Sequence, residues 1–300
     1  MEKNIKVSVC VITYNHEAYI EKCLLSILEQ DVDFEFEILL GDDCSSDNTR
    51  KVINEIDKKY PGKIRKFFHS KNIGVCDNYK AVHFAAQGEY IAHCDGDDYW
   101  LQGKLREQVS FLDENQDFVQ CWTCAKTVDE NNVDIGVFPS KLGIQLYPSV
   151  VMAKDIVQSY ALVGQHSTQL YRRSAQKNIE ISEFLDYLVA FNISLSGKTY
   201  YMKKILSAYR VSGGESVTRN SNNKKAAVDL LGTHLVDIAE QHPIYAADAK
   251  ANIYVRYFFS YLKRHNLTLI KNSLKELRQI KVSISSIFIS CFWFLVQKIK

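Results

Sequence analysis

The sequence predicts an α/β fold in which helices flank a mostly parallel central sheet and a C-terminal helical extension follows. Three observations lead to this prediction. Apolar, β-branched runs alternate with amphipathic helical patterns over residues 5–126, as in parallel strands joined by crossover helices. From about residue 224 onward the pattern is almost entirely helical. The chain has 300 residues, of which 46% are hydrophobic, and it is long enough to bury a large core.

The elements of the first half have the clearest patterns. Residues 5–12 form a continuous apolar run, which is typical of a strand buried on both faces. Apolar residues then recur at helical spacing and predict a helix near 16–30. The same reasoning predicts further strands at 36–40, 64–69, 88–94 and 118–126, and further helices near 47–60, 74–87 and 103–115.

Beyond residue 126 the pattern is less regular. It predicts helices near 153–160 and 182–196, strands near 166–172 and 199–207, and a polar loop over 213–223. The charge is uneven as well. Residues 251–300 carry nine Lys or Arg and one acid, whereas the first 250 residues carry 28 basic and 34 acidic ones.

The composition excludes several classes of protein. Only 13 Gly and 4 Pro occur, so the chain is neither collagen-like nor of low complexity. The formal net charge of +2 is not the signature of a nucleic-acid-binding protein. No basic segment precedes a long apolar run at the N-terminus, so no signal peptide is predicted. We therefore expect the eight cysteines to be reduced thiols of a cytoplasmic protein.

Polar clusters follow three of the predicted strands. They are Thr13-Tyr14-Asn15, Asp42-Asp43 and the run from Asp95 to Asp98. The carboxyl ends of parallel strands meet at one edge of a sheet, where ligands bind. Crowded carboxylates repel one another unless a cation binds, and Mn²⁺ or Mg²⁺ takes carboxylates together with substrate phosphates. A divalent metal and a diphosphate substrate are therefore expected, although each acidic pair alone is equally typical of a turn or a helix cap.

Two common nucleotide-binding motifs are missing from the sequence. No GxGxxG follows the first strand, and no GxxxxGK[ST] occurs anywhere. Phosphates are therefore not expected on a glycine-rich loop. A nucleotidyltransferase, which also uses acidic residues on a parallel sheet, usually carries such a loop where this chain has Thr13-Tyr-Asn-His-Glu17.

Four segments, in this order, carry a resemblance to a known family. They are VSVCVITYN at 7–15, GDDCSSDNT at 41–49, NIG at 72–74 and GEYIAHCDGDD at 88–98. Together they resemble the family 2 glycosyltransferases. The resemblance implies a GT-A fold with a Rossmann-like sheet. It also implies transfer of a sugar, with inversion, from a nucleotide-diphosphate donor to an acceptor hydroxyl, a reaction of the EC 2.4 class.

The resemblance also implies roles for the residues after the first two strands. Tyr14 would stack on the donor base and Asp43 would accept a base N–H, with neighbouring contributions from Thr13, Asn15 and Asp42. These five residues would form the binding site for the donor nucleotide.

The metal and the catalytic base are implied by later segments. Asp95 and Asp97 match the family's DxD motif, with Asp95 near the ribose and diphosphate and Asp97 as the principal metal ligand, assisted by Asp98. Asp186 matches the catalytic base, since residues 186–198 resemble a later family segment. A helix-start acid is the alternative interpretation of Asp186, and Glu183, three residues earlier on the same face, is the alternative base.

Three further residues are weighed for the acceptor side. His166 is expected to line the acceptor site or to fill the core, and the sequence leaves both open. Arg210, in a Tyr-Arg pair that resembles another family segment, is a candidate phosphate contact. Ser212 stands where many relatives have a histidine, so no metal or phosphate role is assigned to its loop.

On this basis the chain divides into two regions. Residues 1–222 form the catalytic domain, with a nucleotide-sugar-binding half at 1–100 and an acceptor-binding half at 101–222, and residues 223–300 form a helical region with a basic, apolar tail. The expected partners are a nucleotide-sugar donor and a glycan or lipid-linked glycan acceptor of bacterial surface polysaccharide assembly. An inactive nucleotide-sugar-binding protein and a nucleotidyltransferase are the alternative functions.

The tail suggests where the protein works. Sixteen uncharged residues lie between Lys281 and Lys298, four of them serines, which is too short and too polar for a membrane span. A basic segment beside an aromatic, apolar helix suits an anionic membrane surface. We therefore expect a peripheral enzyme on the cytoplasmic face of the membrane. Packing of the tail on the catalytic domain, or contact in a homo-oligomer, is the alternative.

Overall fold

A computed structural model describes residues 5–159, 162–178, 186–211, 221–263 and 284–296. Within these ranges the chain forms a ten-stranded sheet with helices on both faces. The strands are β1 Val7–Thr13, β2 Phe36–Asp42, β3 Ile64–Phe68, β4 Tyr90–Asp95, β5 Tyr99–Trp100, β6 Phe118–Val128, β7 Asp134–Phe138, β8 Val150–Val151, β9 Leu170–Arg172 and β10 Lys198–Arg210.

The helices confirm the alternation that the sequence predicts. They are α1 Ile20–Leu28, α2 Thr49–Lys59, α3 Val75–His83, α4 Lys104–Glu114, α5 Lys141–Leu146, α6 Ala153–Gln158, α7 Asp186–Ser194, α8 Ser221–Gln241, α9 Ala246–Lys263 and α10 Ile284–Val296. Short 3-10 turns lie at His166–Thr168, Arg173–Asn178 and Pro243–Tyr245.

The sheet is parallel in its first half and mixed in its second. Its strand order is β3-β2-β1-β4-β9-β6-β10-β5, with β7 on β6 and β8 on β10. The first four strands in that order pair in parallel, as do β6 and β10. Strand β9 is antiparallel to both of its neighbours, β4 and β6. It therefore joins the two parallel parts and brings the 3-10 turn before it against β4.

Side chains that alternate along the strands pack against helices on both faces of the sheet. Val7, Val9 and Val11 of β1 face α1, α2 and α4, whereas Cys10 and Ile12 face α3 and α7. Strands β1 and β4 bury both of their faces, which explains their continuous apolar runs in the sequence.

A second core cluster joins the C-terminal helices to the sheet. It is made of side chains from β6, β10, α6 and α7 together with α8, α9 and α10, among them Trp122, Tyr201, Leu231, Leu235, Ile238, Ala249 and Val296. The predicted helical extension is thus present, and its apolar side chains complete a core that begins in the sheet. The division of the chain at residue 222 stays a prediction.

Helix α10 packs on α6 and α9 through polar and aromatic side chains. Ser286 donates a hydrogen bond to the buried Asp248 carboxylate of α9, and Ser290 donates to the Gln158 carbonyl of α6 at 2.9 Å. Trp293 meets Tyr147 edge-on with ring centroids 5.3 Å apart. Helix α10 therefore packs on the rest of the described chain. None of the helices in the described ranges has the length and apolar character needed to span a bilayer.

Several elements differ from the sequence predictions. The predicted strand at 166–172 is a 3-10 turn followed by the three-residue β9, and the predicted helix at 16–30 begins only at Ile20. Strands β5, β7 and β8 and helix α5 were not predicted. Two-residue strands have no period to detect, and β7 is largely exposed, so it has no apolar alternation. The part of the predicted helix that precedes Asp186, including Glu183, lies outside the described residues.

Candidate active site

The three polar clusters lie together at the carboxyl edge of the sheet. Thr13 pairs with Asp42 across β1 and β2, and Ile12 pairs with Asp95 across β1 and β4. The Asp43 amide donates to the Thr13 carbonyl at 3.0 Å, and the Gly96 amide donates to the Ile12 carbonyl at 2.9 Å. The parallel register therefore produces the common edge that the sequence predicts.

The loop after β1 is fastened to the loop after β2. The Asn15 side-chain oxygen accepts from the Ser46 amide at 2.8 Å, and the Asn15 amide donates to Ser45 Oγ at 2.9 Å. Asn15 and Cys44 both have a positive φ, of 54° and 63°. These contacts leave the Tyr14 ring at the surface with 46% of its area exposed, so it is open to a stacking partner.

Asp42 and Asp43 are already occupied by groups of the protein. The buried Asp42 carboxylate forms an ion pair with Arg50 and accepts a hydrogen bond from the Ser45 hydroxyl. The Asp43 carboxylate accepts from the Ile73 and Gly74 amides at 2.7 and 2.9 Å. Both residues hold the loops that surround Tyr14. A donor-base contact of Asp43 stays a prediction, and it would compete with the 73–74 loop.

The turn after β4 separates two kinds of carboxylate. Asp98 is buried and accepts from the Gln165 side chain at 2.9 Å, from the Ser167 hydroxyl at 2.6 Å and from the Arg210 amide at 2.7 Å. Asp95 and Asp97 are only partly buried. Asp98 therefore braces the turn and leaves Asp95 and Asp97 as the carboxylates open to a ligand.

Arg210 braces the same turn from the opposite side. Its Nε donates to the Asp97 carbonyl at 2.9 Å, its Nη2 donates to the Asn132 side chain at 2.7 Å, and its Nη1 donates to the Asp129 carbonyl. The guanidinium also lies 4.1 Å from the Tyr19 ring centroid. These contacts give Arg210 a bracing role, and its predicted phosphate contact stays a prediction.

The electrostatics of the turn favour a bound cation. Burial raises the pKa of the Asp95, Asp97 and Asp98 carboxyls, and mutual repulsion adds to the shift at Asp97 and Asp98. The nearby His16 opposes the shift at Asp95 and Asp97. Within the described ranges, the Asp97 carboxylate takes part in no ion pair. Hard divalent cations prefer such oxygen ligands, so the side chains present fit Mn²⁺ or Mg²⁺.

A histidine cluster adjoins Asp95. One atom each of His93, Asp95 and His166 lies within 4.8 Å of the others, which is close enough for a shared metal ion. However, the two imidazoles stack with centroids 3.8 Å apart and planes 18° apart. An imidazole binds a metal in the plane of its ring, so two stacked rings do not point at one ion. Instead, His93 Nε2 lies 3.0 Å from Asp95 Oδ1.

Asp186 begins helix α7 and lies beside this cluster. Its Oδ1 is 3.6 Å from His166 Nδ1, and 34% of its side chain is exposed. Burial raises the pKa of the Asp186 carboxyl, His166 opposes that shift and the Asp95 charge adds to it. The predicted base therefore lies near the predicted metal ligands. Its place at a helix start is also consistent with the alternative interpretation.

Sequence reasoning missed four residues of this region: His16, Arg50, His83 and His93. A usable signal existed for His93, which is two residues before Asp95 and so on the same face of β4. No local pattern indicates that Arg50 pairs with Asp42 or that His83 of α3 meets His93. Those contacts form only when α2 and α3 pack on the sheet.

Residues 8–179 match the model of the family described as Glycosyl transferase family 2, which is more than half of the chain. With the acidic edge and the α/β sheet described above, the chain therefore belongs to glycosyltransferase family 2.

Two curated relatives are longer than this chain. Uncharacterized protein Rv1520 of Mycobacterium tuberculosis is 30% identical over 207 residues, which are 68% of this chain and 58% of that protein. The poly(ribitol-phosphate) beta-N-acetylglucosaminyltransferase TarS of Staphylococcus aureus is 28% identical over 210 residues, which are 69% of this chain and 34% of TarS. The chain thus spans less than two thirds of the length of these relatives.

Solved structures share the fold. A crystal structure of S. aureus TarS in complex with UDP-GlcNAc matches with a TM-score of 0.64 at 19% identity, over 92% of each chain. The mannosyltransferase PcManGT of Pyrobaculum calidifontis, in complex with GDP-Man and Mn²⁺, matches with a TM-score of 0.59 at 15% identity, over 99% of this chain and 85% of that one. The chain therefore has the GT-A architecture that the sequence predicts.

Proposed function

We propose that this protein is a metal-dependent, inverting glycosyltransferase that moves a sugar from a nucleotide-diphosphate donor to an acceptor hydroxyl. One observation carries the proposal. Two partly buried carboxylates, Asp95 and Asp97, lie in the turn after β4, and a third, Asp186, lies near Asp95. A metal-bound diphosphate and a base for an incoming hydroxyl require this set of groups.

Donor binding is assigned to the edge formed by β1, β2 and β4. Tyr14 offers an exposed ring to the base, and Thr13 and Asn15 shape the loop that carries it. Asp95 and Asp97 would hold Mn²⁺ or Mg²⁺. When bound, the cation supplies positive charge against the developing charge of the leaving diphosphate. Bound nucleotide-sugar and Mn²⁺ in the PcManGT complex support this assignment.

Asp186 is assigned as the base that removes the proton from the acceptor hydroxyl. Burial raises the pKa of its carboxyl, which makes it a stronger base while it is ionised. Burial also lowers the pKa of His166 to about 4, so the ring beside Asp186 is neutral near pH 7. His166 would then line the acceptor side, next to Asp186.

The acceptor is proposed to be a glycan or lipid-linked glycan of bacterial surface polysaccharide assembly. The support is the relative TarS, whose name describes transfer to poly(ribitol-phosphate). Identity of 28% over part of TarS does not carry its sugar or its acceptor over to this chain.

The proposed place of action is the cytoplasmic membrane face, and helix α10 supports it. The buried Ser286 and Ser290 face the protein, while Phe288, Phe292 and Leu295 are 71%, 49% and 51% exposed. Soluble monomers rarely expose such an apolar stripe. Because residues 251–300 carry nine basic residues and one acid, an anionic lipid surface is the complementary partner.

A nucleotide-sugar screen tests the proposed reaction. Thermal shift is measured with UDP- and GDP-sugars, each with and without Mn²⁺, and hydrolysis or transfer of the best donor is then followed. We expect one donor to stabilise the protein only with Mn²⁺ and to be turned over. Binding without turnover against a panel of glycan acceptors would favour the inactive nucleotide-sugar-binding alternative. Absence of binding would contradict the proposal.

Liposome flotation tests the membrane proposal. We expect the full chain to float with phosphatidylglycerol vesicles at low salt, but not with phosphatidylcholine vesicles. The double variant Phe288→Glu, Phe292→Glu should stay at the bottom of the gradient. Val133→Glu, a change at an apolar residue 57% exposed in the turn before β7, is the matched control. A full chain that never floats, or that forms a dimer through α10, would overturn the proposal.

A further inference from the structure

A chain of buried hydrogen bonds leads to the Asp95 carboxylate. The Tyr171 hydroxyl lies 3.0 Å from His83 Nδ1, His83 Nε2 lies 2.9 Å from His93 Nδ1, and His93 Nε2 lies 3.0 Å from Asp95 Oδ1. The first three residues are fully buried. They come from β9, α3 and β4, so this series of hydrogen bonds exists only in the folded protein.

One set of proton positions satisfies every member of this chain. An ionised carboxylate only accepts, so His93 donates from Nε2. A neutral imidazole has one donor and one acceptor, so His93 Nδ1 accepts from His83 Nε2, and His83 Nδ1 accepts from the Tyr171 hydroxyl. Both rings are fully buried, and burial disfavours the charged form of an imidazole.

Stacking holds both rings in these orientations. His83 lies on the Tyr79 ring with centroids 3.6 Å apart and planes 16° apart. His93 lies on the His166 ring at 3.8 Å and 18°. Tilting either imidazole would break its stack, and a 180° flip would replace its hydrogen-bonding nitrogens by carbons. The Nε2–H group of His93 therefore points toward Asp95 in a fixed direction.

We propose that His93 and His83 are positioning residues that fix the orientation of the Asp95 carboxylate, with the Tyr171 hydroxyl as the donor to His83. The inference rests on the proposed role of Asp95 in holding the metal and the diphosphate. A side chain that orients a ligating group is typically worth about 10- to 100-fold in metal affinity or activity. Among the described contacts, no comparable series of buried hydrogen bonds leads to the Asp97 carboxylate.

Two substitutions at His93 separate positioning from packing. His93→Phe keeps an aromatic ring of similar size but has no donor. His93→Gln places an amide nitrogen near the position of Nε2 and retains a donor toward Asp95. Binding of Mn²⁺ alone is measured by electron paramagnetic resonance of the free ion. We expect His93→Phe to weaken Mn²⁺ binding about 10- to 100-fold and His93→Gln to recover most of it.

Turnover gives a second readout. We expect His93→Phe to lose activity at limiting Mn²⁺ and to regain it at saturating Mn²⁺, because the reacting groups themselves are unchanged. Tyr171→Phe should have a smaller effect in the same direction. Tyr201→Phe removes a hydroxyl from an equally buried tyrosine in the second core cluster, and it should leave Mn²⁺ binding unchanged.

The tautomers of His83 and His93 provide a test that needs neither a metal nor a substituted protein. Long-range ¹H–¹⁵N spectra of the ¹⁵N-histidine-labelled protein at neutral pH should show His83 and His93 as neutral rings protonated on Nε2. Protonation of His93 on Nδ1 would overturn the inference. Equal Mn²⁺ affinity of the wild type and His93→Phe would overturn it as well. Absence of Mn²⁺ binding in the wild type would instead contradict the proposed metal site.

Discussion

The acidic residues at the carboxyl edge of the sheet fall into two groups. Asp42, Asp43 and Asp98 are buried, and their oxygens accept hydrogen bonds from the protein. Asp95, Asp97 and Asp186 are only partly buried, and about a third of the side chain is exposed at Asp95 and Asp186. A satisfied, buried carboxylate shapes a site, whereas an open one with a raised pKa is suited to bind a cation or a proton. Substitutions in the two groups should therefore have different consequences.

Asp97→Asn should abolish metal-dependent transfer while the protein stays folded. Burial raises the pKa of this carboxyl, so its charge near pH 7 is a cost to the folded state. We expect the melting temperature without metal to equal that of the wild type or to exceed it by about 2–4 °C, the equivalent of about 1 kcal/mol. Differential scanning fluorimetry and a turnover assay measure both effects.

The matched control is Asp31→Asn, a change at an acid on the surface, which should leave turnover and Mn²⁺ response unaltered. Full turnover by Asp97→Asn would contradict the assignment of this residue as a metal ligand.

Asp186→Asn should lower turnover about 10²- to 10⁴-fold while donor affinity is retained. The amide keeps the shape of the side chain but does not accept a proton as a base. Donor affinity from calorimetry and turnover from a coupled assay should therefore separate. A parallel fall of both would indicate a structural or donor-binding role, and Glu183 would be the next base to test.

The turn after β4 and helix α10 are held in place by close contacts with other parts of the chain. The turn after β4 requires Gly96, because a Cβ there would lie 2.7 Å from the Thr13 side chain and 2.9 Å from His16 Nδ1. Helix α10 is held by the buried Asp248 carboxylate, which accepts from Gln158 Nε2 at 2.8 Å and from the Ser286 hydroxyl. Each contact has a direct test.

Gly96→Ala should separate the ends of β1 and β4 and weaken donor binding. Overpacking of this kind costs about 1–3 kcal/mol, which urea unfolding measures. Gly232→Ala is the matched control in α8, where the nearest atom to a new Cβ is 3.7 Å away. That change should stabilise the helix by about 0.5–1 kcal/mol. If Gly96→Ala were as stable as the wild type and bound the donor equally well, the inferred close contact of Gly96 with Thr13 and His16 would be contradicted.

Asp248→Ala should release α10 while the sheet stays folded. The change removes the acceptor for Ser286 and leaves Gln158 without its buried partner. Hydrogen exchange of the peptide at 284–296 should become faster by about tenfold or more, the result of about 1.4 kcal/mol of lost protection. Exchange in β1 and β4 serves as the internal control. Unchanged protection of α10 would show that its aromatic contacts alone hold it.

The C-terminal helices and the sheet share one core. Leu231, Leu235 and Ile238 of α8 pack in the same cluster as Trp122 of β6 and Tyr201 of β10. The sequence division at residue 222 therefore cuts through a buried interface. Removal of the helices would leave large aromatic side chains of the sheet in water.

A fragment of residues 1–222 should not fold to a stable monomer. We expect it to bind anilinonaphthalene sulfonate strongly and to melt without a cooperative transition, because the side chains that α8, α9 and α10 contribute to the second core cluster are missing. The full chain, measured in parallel, is the control. A fragment that melts cooperatively within a few degrees of the full chain would show that the sheet is independently stable.

Most of the candidate site could be predicted because its chemistry lies in local patterns. Strand runs that stop at Thr13, Asp42 and Asp95 place three polar clusters at one edge, since parallel strands all end on the same side. Asp186 came from a resemblance and not from spacing, and the structure brings it near Asp95. The positions of Glu183 and Ser212 lie outside the described residues.

The sequence by itself determined the α/β fold, the acidic edge and the family, because periodicity and motifs are properties of short segments. Only the tertiary structure decided which carboxylates stay open, since that depends on partners far away in the chain. Strand β9 enters the sheet antiparallel and brings Ser167 to Asp98, and α3 brings His83 to His93. Likewise, Ser286 and Ser290, which dilute the apolar pattern of α10, turn inward to Asp248 and Gln158, and Phe288 and Phe292 face outward. Burial and hydrogen-bond satisfaction are settled between elements, and no single segment encodes them.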